Sequence, residues 1–79
     1  MKCKAFGDKV IQTYWTRDRQ SIVFEQESRY VLKEHVHEKY VESFLQIISV
    51  DRRDSALFTC TAENSFGKDS INFQILVQG

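Results

Sequence analysis

Hydrophobic and polar residues alternate with a period of two along most of the chain, a pattern that predicts β-strands. The last such run shows it most clearly, with one side formed by Ile71, Phe73, Ile75 and Val77. No stretch repeats its apolar residues at the three- and four-residue spacing of an amphipathic helix. The chain is therefore predicted to be all-β.

Strands are predicted where the alternation is continuous between turn-forming residues. They cover residues 2–6, 11–17, 22–24, 29–33, 41–50, 56–64 and 69–78. Turns are predicted at residues 7–9, 17–20, 51–54 and 64–67, with a charged connection at 34–39. That side of the last strand is predicted to face inward. The other residues predicted to face inward are Ile11, Thr13, Trp15, Val41, Ser43, Leu45, Ile47, Phe58, Cys60 and Ala62. Seven short strands with frequent turns favour a sandwich of two antiparallel sheets.

Composition and charge narrow the possible functions. The 79 residues form one small domain, residues 1–79, with 42% hydrophobic and 28% charged residues. Eleven basic residues balance eleven acidic ones, so no net field favours a nucleic acid, a lipid surface or a phosphate substrate. No apolar run approaches the roughly 20 residues of a membrane-spanning helix. We therefore expect no nucleic-acid partner, no membrane insertion, no small-molecule substrate and no cofactor.

The two cysteines, Cys3 and Cys60, are 57 residues apart, which does not fit a zinc knuckle or a C-x-x-C redox pair. This spacing leaves a long-range disulfide or two unrelated thiols. A disulfide closing so long a loop would stabilise a small domain by about 4 kcal/mol.

The most informative pattern combines Cys3, Trp15, the run 45–47 and the run 54–60, followed by the stretch 61–67. It resembles the immunoglobulin superfamily, and the closing stretch is similar to the intermediate set, or I-set. The runs 7–9, 15–17, 54–55, 64–69 and 76–78 are similar to the immunoglobulin domains of Down syndrome cell adhesion molecule (Dscam) family members. This resemblance implies a disulfide between Cys3 and Cys60 in a core with Trp15, Leu45 and Phe58.

Two further expectations concern the ends of the sandwich. Asp54 is placed to accept hydrogen bonds from a cation at the start of the fourth strand, and Arg29 is the donor we expect. Phe58 stands where the family usually has a tyrosine, so the hydroxyl bond of that tyrosine is lost. In the family pattern Cys3 also follows a first strand, and we expect that strand to be missing from this N-terminally truncated domain.

Residues 34–38 offer a possible metal site, because His35 and His37 share a face if the segment is extended. One carboxylate could join them, but a tight site needs three or four converging ligands, and no partner cluster is evident elsewhere in the sequence. We expect instead a solvated connection without a metal. Catalysis is not expected either, since the serines lie in no G-x-S-x-G motif and the three glycines are isolated.

The outer face of the sheet built from the second, sixth and seventh strands is a candidate protein interface. Its predicted members are Tyr14, Thr16, Leu57, Thr59, Thr61, Asn72, Gln74 and Leu76. The alternative is an ordinary sheet surface, since isolated exposed apolar residues are normal.

The resemblance implies an extracellular module of a cell-surface or secreted adhesion protein. Such a module works by protein contact, including contact with copies of the same protein, or as a rigid spacer. The alternative is a structural module of a cytoplasmic filament or muscle protein, in which the two thiols would stay reduced.

Overall fold

The computed structural model describes residues 1–7, 12–64 and 66–78. Its strands are β1 (Lys2–Phe6), β2 (Gln12–Arg17), β3 (Gln20–Ser21), β4 (Tyr30–Val36), β5 (Tyr40–Ile47), β6 (Ala56–Asn64) and β7 (Gly67–Ile75). Two short 3-10 helices lie at Phe24–Gln26 and Arg52–Asp54. The predicted turn at 7–9, apart from Gly7, and the inward position of Ile11 lie outside the described residues.

The strands form two antiparallel sheets, which confirms the predicted fold class. One sheet has three strands in the order β1-β5-β4, and the other has four in the order β3-β2-β6-β7. Cys3 lies opposite Ser43 in the first sheet, and Trp15 lies opposite Cys60 in the second. The buried apolar residues between the sheets include Cys3, Trp15, Tyr30, Val41, Leu45, Ala56, Phe58 and Cys60.

The prediction of an edge strand at residues 22–24 is wrong, because β3 pairs two residues earlier. Asp18 and Arg19 both have positive φ, 49° and 69°, and they join β2 to β3 as a two-residue hairpin turn. A two-residue turn with positive φ at both positions (type I′) matches the twist of the flanking strands. Strand pairing therefore starts directly beside the turn, with Arg17 opposite Gln20. The chain then leaves the sheet, and a 3-10 helix begins at Phe24.

The connection predicted at 34–39 is also partly wrong, because β4 continues to Val36. His35 pairs with Glu42, and Val36 pairs with Val41. β4 is an outermost strand of its sheet among the described residues, so its side chains can be charged and exposed without cost to the core. Alternating hydrophobicity is therefore a poor guide to where this strand ends.

Smaller differences concern the ends of other elements. β5 ends at Ile47, and the predicted turn at 51–54 is the second 3-10 helix. Asp51 caps that helix by accepting a hydrogen bond from the Arg53 amide. β7 begins at Gly67 and ends at Ile75, so Leu76 and Val77 lie beyond it. Ile71, predicted to face inward, is 46% exposed because no strand covers that side of β7 among the described residues.

Candidate protein-contact face and the interior behind it

The outer face of the four-stranded sheet, called here the contact face, consists of Tyr14, Thr16, Leu57, Thr59, Thr61, Asn72 and Gln74. Strand register arranges these side chains in cross-strand rows. Thr16 lies opposite Thr59, which lies opposite Asn72, and Leu57 lies opposite Gln74. Since they alternate with the buried Trp15, Phe58 and Cys60, they point away from the core.

Hydrogen bonds connect neighbouring strands across the contact face. Thr59 Oγ1 donates to Asn72 Oδ1 at 2.9 Å, and the hydroxyls of Thr61 and Ser70 are 3.0 Å apart. Thr61 is only 7% exposed, so it supports the face and adds little to its accessible area. These bonds hold the polar side chains of the face in defined positions.

The apolar and aromatic residues on or beside the contact face differ in their exposure and in their contacts. Tyr14 is 41% exposed and directs its hydroxyl toward Glu63 Oε2 at 3.5 Å. Leu57 is half-buried, and its amide donates to Asp18 Oδ1 at 3.0 Å. Leu76 is 75% exposed and follows the end of β7, so it lies beside the sheet surface rather than within it.

A disulfide links Cys3 on β1 to Cys60 on β6, joining the two sheets through the interior. The Cα atoms of the two residues are 6.3 Å apart. Trp15 is 2% exposed and belongs to the same core cluster, and its ring centroid lies 5.7 Å from that of Phe73. Its indole N–H donates to Ser43 Oγ at 2.8 Å, so a polar contact also crosses between the sheets.

Leu45 and Phe58 complete the centre of the core, with exposed fractions of 1% and 0%. Phe58 packs edge-on against Tyr30, with ring centroids 6.0 Å apart. The Tyr30 hydroxyl accepts a hydrogen bond from Arg17 Nη1 at 2.9 Å, and Arg17 Nη2 also donates to the Arg53 carbonyl. Burial raises the pKa of Tyr30, and the Arg17 guanidinium partly opposes that rise. The alternation of the sequence predicted that Phe58 is buried, but it did not predict the burial of Tyr30.

An ion pair joins Arg29, immediately before β4, to Asp54, the last residue of the second 3-10 helix. The guanidinium donates to both carboxylate oxygens, at 2.7 and 3.0 Å, and Asp54 is fully buried. These hydrogen bonds lower the pKa of Asp54 despite its burial, and the Asp51 amide bond at 2.9 Å acts in the same direction. The carboxylate is therefore charged, paired and fixed at one end of the sandwich.

Two histidines and a carboxylate converge on the outer face of the three-stranded sheet. His37 Nε2 lies 3.2 Å from Glu42 Oε1, and Glu42 is the cross-strand partner of His35. One ligating atom from each of the three lies within 4.8 Å of those of the other two. The sequence indicated the histidine pair, but the third group became apparent only from the register of β4 on β5.

Comparison with known proteins identifies the family. The model of the immunoglobulin I-set domain matches residues 1–77. The chain is 36% identical over 78 residues to cell adhesion molecule Dscam1 of Drosophila melanogaster and 37% identical over 78 residues to cell adhesion molecule DSCAM of Gallus gallus. It is also 34% identical over 77 residues to smooth muscle myosin light chain kinase of Gallus gallus.

Each of these matches covers 98 or 99% of the chain but only 4% of the relative, so the chain corresponds to one small part of each. No helix among the described residues is long and apolar enough to cross a membrane. Three observations support the same family assignment. They are the two antiparallel sheets, the Cys3–Cys60 disulfide between them and the family match over 77 residues. The chain belongs to the immunoglobulin I-set family.

Proposed function

We propose that this domain is an extracellular recognition module that binds protein partners through the contact face and has no catalytic role. The Cys3–Cys60 disulfide carries the proposal, because such bonds persist in oxidising compartments and are rare in the cytosol. The similarity to two Dscam adhesion molecules supports the same assignment. Binding between copies of the same protein is the form of contact that we propose.

The chemistry of the contact face supports protein binding over nucleic-acid or small-molecule binding. Its members are a tyrosine, a leucine, threonines and amides, and the charged Glu63, near the Tyr14 hydroxyl, lies at its edge. Depletion of charge and the presence of tyrosine are typical of the centre of protein interfaces. The hydrogen bonds within the face preorganise it, so we expect little rearrangement on binding.

A matched pair of substitutions tests the face. Asn72→Arg places a long cation in the middle row of the contact face, whereas Gln46→Arg makes a similar change at an exposed position on the other sheet. Self-association of the purified extracellular protein is then measured by analytical ultracentrifugation. We expect Asn72→Arg to weaken it at least about tenfold, because a charge is desolvated at the interface. Equal effects of the two variants would exclude the contact face.

A second candidate function is that of a structural module in a cytoplasmic protein. The 34% identity to smooth muscle myosin light chain kinase favours it. Counting free thiols by alkylation and mass spectrometry, on protein isolated from its native cells, separates the two candidates. The extracellular module should have no free thiol at Cys3 or Cys60, whereas the cytoplasmic one should have two.

A further inference from the structure

The outer face of the three-stranded sheet contains a cluster that neither the contact face nor the core uses. His35 and His37 project to the same side because alternate residues of an extended chain share a face. Glu42 lies directly across from His35 on β5. Histidine nitrogens and a carboxylate oxygen are common ligands of zinc.

We propose that His35, His37 and Glu42 bind a Zn²⁺ ion and leave its fourth position open to water or another ligand. Ligands of tetrahedral zinc, at bonds of about 2.0–2.1 Å, are separated from each other by about 3.4 Å. His37 Nε2 and Glu42 Oε1 are already 3.2 Å apart. One ligating atom from each of the three residues lies within 4.8 Å of those of the other two, so small side-chain shifts bring them to the spacing that zinc needs.

Neighbouring aromatic rings restrict both imidazoles. The His37 ring stacks on Tyr40 with centroids 4.1 Å apart and an interplanar angle of 26°. The His35 ring packs against Phe44 with centroids 5.4 Å apart. Less rotamer freedom is therefore lost when a metal binds, which favours binding.

Two lysines lie near the cluster and limit its affinity. Lys2 Nζ is 3.8 Å from Glu42 Oε2, which is the carboxylate oxygen that does not face His37. Lys4 directs its ammonium over the Tyr40 ring, 4.2 Å from the centroid. Because the site is exposed and has only three protein ligands, the metal is exchangeable and the fold does not depend on it. Imidazole ligands favour Zn²⁺ or Cu²⁺ over Mg²⁺ and Ca²⁺.

The test is a titration of the full chain with zinc chloride in metal-free buffer. Isothermal calorimetry gives the affinity, and histidine side-chain NMR signals report the site. We expect one Zn²⁺ per chain with micromolar affinity and shifts of both imidazoles. Magnesium and calcium should produce neither measurable binding nor shifts of the imidazole signals. Millimolar or weaker zinc binding would overturn the proposal, as would equal responses to magnesium.

Variants locate the ion. His35→Gln, His37→Gln and Glu42→Gln should each weaken zinc binding about tenfold or more, because each removes one of three ligands. Glu25→Gln, at an exposed carboxylate on the first 3-10 helix, is the matched control and should change it less than about twofold. Zinc affinity unchanged in all three cluster variants would place the metal elsewhere and overturn the proposal.

A further substitution distinguishes a metal site from a simple hydrogen-bonded cluster. Lys2→Gln removes the cation beside Glu42 and should tighten zinc binding severalfold, since like charges repel. Circular dichroism confirms that each variant is folded. If one of the histidine variants is unfolded, the other histidine variant and Lys2→Gln still decide the outcome. Weaker binding in Lys2→Gln would contradict the proposed geometry.

Discussion

The indole of Trp15 connects the two sheets by packing and by a hydrogen bond. Its partner, Ser43, is fully buried on β5, at a position where alternation predicts an inward side chain. The hydroxyl is the acceptor for the indole N–H at 2.8 Å. A small polar residue in the core is therefore explained by the tryptophan opposite it.

Replacing Ser43 with alanine should destabilise the domain by about 1–2 kcal/mol, because the buried indole N–H loses its acceptor. Trp15→Ala should cost about 3–5 kcal/mol, since it also leaves a large cavity. Urea unfolding followed by circular dichroism measures both. Gln46→Ala, exposed on the same strand as Ser43, is the control and should change stability by less than about 0.5 kcal/mol. A Ser43→Ala variant as stable as the wild type would contradict the role of this hydrogen bond.

Acid should destabilise the fold through the carboxylates at the Arg29 end. Arg29 lowers the pKa of Asp54, and hydrogen bonds from Arg53 lower the pKa of Asp51 to about 2. A carboxyl whose pKa is lower in the folded state stabilises the fold above its unfolded pKa, and this contribution is lost as the pH falls through the folded pKa. The melting temperature should therefore fall between about pH 4 and pH 2.

The Asp54→Asn variant tests this assignment. At neutral pH it should be less stable by about 1.5–3 kcal/mol, because the charged hydrogen bonds between the buried Asp54 and the partly exposed Arg29 are lost. Its melting temperature should also depend less on pH below about pH 4. Asp69→Asn, at an exposed position on β7, should keep the wild-type acid dependence. If the melting temperatures of wild type and Asp54→Asn fall by the same amount in acid, then protonation of other groups causes the loss of stability.

Among the elements, the central strand was predictable from the sequence and the outermost strands were not. β6 has the predicted bounds, 56–64, because it pairs on both sides and its inward residues must fill the core. β3 and β4 are outermost strands among the described residues, so hydrophobic alternation constrains them less. The hairpin at Asp18-Arg19 also lacks the Asn-Gly or Asp-Gly pair that usually signals a primed turn.

The same distinction holds for the functional residues. The disulfide partners Cys3 and Cys60 were expected from the family resemblance, and the Arg29–Asp54 pair from the positions of the two charges in the sequence. The proximity of Glu42 to the histidines depends on how β4 and β5 are aligned, and a shift of one residue would turn it to the other face. The sequence alone does not fix this alignment, because β4 continues through charged residues.

The turn between β6 and β7 depends on Gly67. Its φ of 152° is unfavourable for residues with a side chain, whereas a Cβ at this position would meet no atom within 4 Å. Gly67→Ala should therefore cost about 1–2 kcal/mol through backbone strain alone. The neighbouring exposed Lys68→Ala serves as the control in thermal unfolding. A Gly67→Ala variant as stable as this control would show that the turn accommodates a side chain.

At the scale of the whole molecule, the core is small and the disulfide forms a large part of its centre. A domain of this size buries only about 60–65% of the surface of its unfolded chain. Cys3 and Cys60 are two of the eight buried apolar residues in the part of the chain that the structure describes, and their bond joins two sheets that share no described strand pairing. The prediction of a missing first strand concerns residues before Met1 and stays a prediction.

The position of the disulfide also determines how far the domain can lengthen under a pulling force. The bond spans 57 residues, so with the bond intact only about 20 residues outside it can extend, to about 70 Å. With the bond reduced, all 79 residues can extend, to about 270 Å. Single-molecule stretching in oxidising and reducing buffer should show this difference, and equal lengths would mean that the bond does not form. An oxidised domain would therefore lengthen by only a limited amount under load, whereas a reduced one would lengthen several times further.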